Sequence, residues 1–136
     1  MSKTVKIAFW LGMAGCATSV AAPGKSDPIG SWTVEYIGKR PVIDNSPAYM
    51  EFPEDGRVAG NSSCNQFTGT YELNAGSLEF SKLASTKKMC HPALMEQETR
   101  FLAATQRVAK VQFFKGLLVL LDASDEMLFR ASRRPK

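Results

Sequence analysis

A chain of 136 residues is about one domain's worth and too short for two stable cores. Its composition, 44% hydrophobic, 22% charged and 10% aromatic, excludes a wholly disordered chain. The formal charge is +4, and no nucleic-acid partner is expected, because the basic start reads as an export signal whose loss leaves a milder balance.

Residues 1–15 read as an export signal: Lys3 and Lys6 form a basic start, Ile7 to Leu11 an apolar middle, and Ala14-Gly15 a small-residue exit. The apolar run gives way to glycine and polar residues well short of the roughly 20 residues a spanning helix needs. The hexapeptide "LGMAGC" at 11–16 resembles the bacterial lipoprotein signal, with Met13 where that pattern most often has leucine. The resemblance makes Cys16 the lipidated N-terminus and, with Ala17 following it, implies carriage to the outer membrane with the domain facing the periplasm. The alternative is a cleaved secretory signal that leaves a soluble periplasmic or secreted protein. Several acyl chains anchor far more firmly than one. Residues 16–30 then form a lipid-anchored flexible tether rich in Ala, Ser, Pro and Gly. Fully extended, it reaches about 50 Å. Loss of Lys3 and Lys6 with the signal leaves 15 basic residues against 13 acidic ones, a balance of +2.

From Ser31 the pattern changes. "SWTVEYI" at 31–37 alternates Trp32, Val34 and Tyr36 with polar residues, the period of a half-buried strand. "AYMEF" and "RVAGNS" flank Pro53-Glu54-Asp55-Gly56, a hairpin turn. "FTGTYEL" and "SLEFSKL" flank Asn74-Ala75-Gly76, a second hairpin with Phe67 and Tyr71 on one side of the pleat. Residues 91–108 switch to helical spacing, with Leu94, Met95, Phe101, Leu102, Thr105 and Val108 on one stripe. Pro92 suits the first turn; Glu96 and Glu98 mark the positive end of the dipole, Arg107 and Lys110 the negative end. "KVQFF", "LLVLLD" and "MLFRAS" complete the strands, broken at Lys115-Gly116 and at 123–126. The expected fold is α+β: a curled antiparallel sheet or incomplete β-barrel of about seven to eight strands with one amphipathic α-helix. Trp32, Tyr36, Phe52, Phe67 and Tyr71 are expected in the core. The domain is expected over 31–132. Arg133, Arg134 and Lys136 fall in a basic tail at 133–136, which with Arg130 reads as a solvated cluster.

"GRVAGNSSCNQFTGTYEL" at 56–73, followed by the stretch from Leu78 to Thr105, resembles the META domain, also called HslJ-like, with its C-N-x-F-x-G-x-Y core, T-x-x-x-C segment and helix containing E-x-x-F-L. The resemblance runs from about Ile29 to Ala131. It implies an envelope or secreted domain, with a stress-related role, a disulfide between Cys64 and Cys90, and no catalytic activity. The cysteine count agrees: once Cys16 carries acyl chains, two remain in an oxidising compartment.

Two sharper readings of these residues stay open. Cys64 could be a nucleophile with His91 as its base; Cys64, Cys90 and His91 could also hold zinc, though without the usual C-x-x-C or H-x-x-x-H clustering. Glu98, in the middle of the apolar stripe, needs a partner, with Lys87, Lys88 or Arg57 as donors, or else it fixes a ligand in an apolar pocket. Asn61-Ser62-Ser63 matches the N-glycosylation triplet and reads as turn chemistry. Asn65, Thr86 and Glu98 are the polar candidates for binding or structure, and no catalytic residue, metal ligand or cofactor is assigned. The expected function is a non-enzymatic envelope lipoprotein. Its partners are the membrane, through Cys16, and an envelope protein or apolar ligand; the alternative is a small barrel that carries a lipid or apolar small molecule.

Overall fold

A computed structural model describes residues 27–135. The export signal, Cys16, tether residues 16–26 and Lys136 lie outside the described residues. Residues 27–30 are docked on the domain: Pro28 is buried, its carbonyl accepts from Trp32 Nε1 at 2.8 Å, and Asp27 Oδ1 accepts from the Ile29 N–H.

The strands β1 (Gly30–Ile37), β2 (Arg40–Pro41), β3 (Tyr49–Phe52), β4 (Arg57–Asn61), β5 (Gln66–Asn74), β6 (Ser77–Phe80) and β7 (Ala84–Ser85) precede helix α1 (Pro92–Thr105). After it come β8 (Lys110–Phe114), β9 (Leu117–Leu121) and β10 (Met127–Arg133). All pairings are antiparallel, in the order β10-β9-β8-β6-β5-β4-β3-β1, and β1 pairs again with β10. The sheet is ring-like but not a fully closed barrel, because at the β6/β8 seam only Ser77 and Lys110 are in register. The expected α+β architecture is present. The two-residue strands β2 and β7 raise the number above the seven or eight expected, since such short pieces owe their conformation to partners and have little local signal.

Turn chemistry sets the hairpins. Both central residues of the β5/β6 turn, Ala75 and Gly76, have positive φ, as do Lys115 and Gly116 between β8 and β9. That is the type I′ geometry whose twist matches a two-residue hairpin. Gly60 in β4 has a different constraint: a Cβ there would run into the Tyr49 carbonyl oxygen and press on the Phe67 ring. Gly60→Ala is therefore expected to lower stability by about 2–3 kcal/mol through overpacking. A denaturant midpoint within error of the parent would contradict this reading of the β3/β4 contact.

Inside the ring Trp32, Met50, Phe52, Phe67, Leu78, Leu118, Leu120 and Phe129 are fully buried. Phe101 carries the helix into this core. Its ring lies 5.4 Å from Phe67 and 5.0 Å from Phe129, the second pair edge to face, so α1 plugs the mouth of the ring with an aromatic. Tyr36 departs from expectation. The register of β1 against β10 shifts between Val34 and Tyr36, and this bulge turns Ile37 inward and leaves Tyr36 half-buried under Arg130.

The basic cluster is corrected too. Arg133 and Arg134 are exposed and Arg130 is half-buried, but the three are not a free tail: their guanidinium carbons lie 4.2, 4.3 and 4.0 Å from the ring centroids of Tyr36, Trp32 and Tyr49 for Arg130, Arg133 and Arg134 in turn. Arg130 and Arg133 are in β10 itself. A planar cation spreads over an aromatic face without losing its water-facing edge. The dipole labelling fails as well. Glu96 and Glu98 lie past the first turn, and Arg107 and Lys110 lie beyond the last helical residue. Arg107 instead reaches Asp122 at 2.7 Å and Lys110 reaches Asp125, tying the helix exit to the β9/β10 turn.

Candidate functional site

The motif residues converge where the loop 62–65, between β4 and β5, meets the start of α1. His91 caps the helix, its Nδ1 accepting from the Ala93 N–H at 3.3 Å, and Pro92 occupies the first turn. One turn later the buried helix face is polar, because Gln97 and Glu98 both point inward ahead of Phe101, Ala104 and Thr105.

Glu98 is the hub. Its Oε1 accepts from Ser62 Oγ at 2.6 Å and from the Asn65 N–H at 2.7 Å, and its Oε2 accepts from Asn65 Nδ2 at 2.9 Å. Burial acts to raise its pKa, but the hydrogen bonds from Ser62 and from the side chain and backbone of Asn65 outweigh that and hold the carboxyl below its ordinary value. The cationic donors expected from sequence are not used. Arg57 pairs with Glu54 at the β3/β4 turn, Lys87 is exposed, and Lys88 contributes only its backbone, to Asn65. Neutral donors satisfy the carboxylate without the desolvation of a second charge.

Asn65 is saturated. Its Nδ2 donates to Glu98 and to the Lys88 carbonyl, while its Oδ1 accepts from Thr86 Oγ1 at 2.9 Å and from the Lys88 N–H at 2.6 Å. Both donors and both lone pairs of the amide are thereby used. Asn65, Thr86 and Glu98 line a surface groove of about 450 Å³ together with Leu83, Met95 and Leu102. Their polar atoms are bonded to one another and to the backbone.

Cys64 and Cys90 form a disulfide, with Cα atoms 5.9 Å apart. It joins the 62–65 loop to the residue before the helix cap, next to the Glu98 network. Neither sulfur therefore offers a thiolate for attack on a substrate or for zinc, and His91 spends its Nδ1 on the cap. In the triplet 61–63, Asn61 Oδ1 accepts from the Ser63 N–H at 2.8 Å, and both serines are buried. That is turn chemistry.

Gln97 belongs to the site and escaped the sequence reading. Fully buried, it accepts from the Ile43 N–H at 2.8 Å and donates to Ser46 Oγ and Ser63 Oγ, so it ties α1 to the 42–46 loop and to the 62–65 loop at once. Its position four residues before Phe101 was the available signal.

A model of the META domain matches residues 28–134. The chain belongs to the META domain family. Over 128 residues, this META-domain chain is 28% identical to the heat shock protein HslJ of Escherichia coli, and the match covers 91% of each. A structure solved by NMR superposes with a TM-score of 0.60 at 27% identity, over 76% of this chain and 87% of the other. An NMR structure from Burkholderia xenovorans gives 0.63 at 21% identity, over 79% and 83%, a likeness of fold alone. Among the described residues no helix is long and apolar enough to cross a membrane.

Proposed function

We propose that this META-domain chain is a non-enzymatic module of the cell envelope: exported, acylated at Cys16 and held at the outer membrane, with its domain turned to the periplasm as a binding or interaction unit. The observation that carries the reading is the Cys64–Cys90 bond, which uses both cysteines of the domain and is of the kind that forms and persists under oxidising conditions. Closure of the Glu98 network supports the non-enzymatic part, since a carboxylate holding three short hydrogen bonds is committed to the fold. The name of the Escherichia coli relative, a heat shock protein, favours a stress-related role.

A carrier that encloses its cargo is disfavoured by the aromatic and aliphatic side chains filling the ring. An apolar ligand would have to bind outside it.

The full chain, expressed in a Gram-negative host with labelled palmitate, is expected to carry label and to fractionate with the outer membrane, and Cys16→Ser is expected to lose both properties. Crosslinking in intact cells is then expected to trap envelope neighbours. An unlabelled, freely soluble wild type would overturn the anchored reading.

A further inference from the structure

On the side of α1 away from the motif residues a second groove, of about 630 Å³, opens between the helix and the ends of β1 and β10. This lies within the size range of small-molecule sites. Ile37, Ala104 and Leu128 give it an apolar floor, and four cations, Lys39, Arg40, Arg100 and Arg107, rim it with one carboxylate, Glu126, beside Arg107.

The cations are not equally engaged. Arg40 pairs with Glu96 at 3.3 Å, and Arg107 pairs with Asp122 and, at 3.9 Å, with Glu126. Arg100 is different. Its Nε and Nη1 are shielded from solvent yet have no hydrogen-bond partner among the described residues. Donors buried without an acceptor are costly, and because these two are closed to solvent the guanidinium must turn outward to meet a ligand, exchanging an unpartnered buried pair of donors for a bidentate contact with an oxyanion. Burial and the neighbouring Arg40 work against the charge on Arg100 and outweigh the support that Glu96 gives it, so an incoming anion would be favoured by the same geometry.

We infer that this groove binds an amphipathic anion, its carboxylate or phosphate headgroup on Arg100 with Lys39 and Arg40 close by, and its apolar chain along Ile37, Ala104, Met127 and Leu128. The inference stands on groove geometry and goes beyond the envelope-module reading. The probes are dodecanoate, dodecyl phosphate, dodecyl maltoside, acetate and inorganic phosphate. They are titrated into the full chain carrying Cys16→Ser, so that no attached acyl chain competes, and backbone amide shifts are followed.

Dodecanoate or dodecyl phosphate is expected to move resonances in 37–40, 100–107 and 127–128, and which of the two binds more tightly names the headgroup. Arg100→Gln is expected to weaken binding about tenfold, and Ala103→Trp, on the exposed helix face at the groove, to abolish it with the rest of the spectrum unchanged. Equal affinity for dodecyl maltoside would reduce the groove to a greasy surface. Equal affinity for acetate or inorganic phosphate would reduce it to a plain anion site. Binding indifferent to both substitutions, or no binding by either anionic amphiphile, overturns the inference. None of these results bears on acylation of Cys16, which the palmitate experiment tests separately.

Discussion

Replacing Cys64 and Cys90 together by serine is expected to destabilise the domain by about 3.5 kcal/mol and to lower its melting temperature by on the order of 15 °C. The bond joins residues 26 apart in sequence, and closing a loop of that size removes this much conformational freedom from the unfolded chain in the entropy model. For a small domain with a margin of about 5–15 kcal/mol, that is a large share. In the folded state the same bond holds the 62–65 loop against the helix start, where Asn65 and Glu98 meet. Equilibrium unfolding in denaturant, with and without reductant, measures the effect. A loss below about 1 kcal/mol would mean that the hydrogen-bond network alone fixes the helix.

Glu98→Gln is expected to cost about 2–4 kcal/mol, because an amide cannot reproduce what the carboxylate does here. The carboxylate faces donors on both oxygens: Ser62 Oγ and the Asn65 N–H on one, Asn65 Nδ2 on the other. Whichever way the glutamine amide is turned, its NH₂ meets another donor. Asn65 cannot flip to compensate, since its Oδ1 is held by Thr86 and by the Lys88 N–H.

The same acid sets a pH dependence. With its folded pKa below the unfolded value, Glu98 contributes stability that is complete above the unfolded carboxyl pKa. That contribution is lost as pH falls through the folded pKa, so Glu98→Gln should flatten the acid limb of the stability curve. Glu96→Gln, at an exposed pair with Arg40, is the control and should change stability by less than about 0.5 kcal/mol. A Glu98→Gln chain as stable as the parent across the acid range would contradict the hub.

Much of the scaffold was legible because its signals are local. Alternation in β1 and β5, the turn residues at 53–56 and 74–76, and Pro92 at the helix start each report a conformation their own neighbours determine. What escaped depends on contacts distant in sequence. Tyr36 fits the alternation, but the register shift against β10 that leaves it only half-buried is a property of the pair of strands. Arg133 reads as a tail residue because nothing nearby in sequence announces Trp32 beneath it.

The candidate site divides in the same way. Glu98 stood out as an acid in an apolar stripe, and the pairing of Cys64 with Cys90 was implied by the family pattern and agreed with the cysteine count. The donors to Glu98 were misread as cations, because a serine hydroxyl 36 residues away and the backbone N–H and side-chain amide of Asn65 leave no charge pattern to find. Gln97 was passed over because glutamine on a helix is ordinarily a surface residue.

Native protein isolated without reductant, exposed to an alkylating reagent and weighed intact, tests the account most directly. The expected result is a polypeptide that takes up no reagent at Cys64 or Cys90 and weighs two hydrogens less than the dithiol. Alkylation of either residue in the folded, unreduced protein would contradict it and would return a free thiol beside Glu98 to consideration as chemistry.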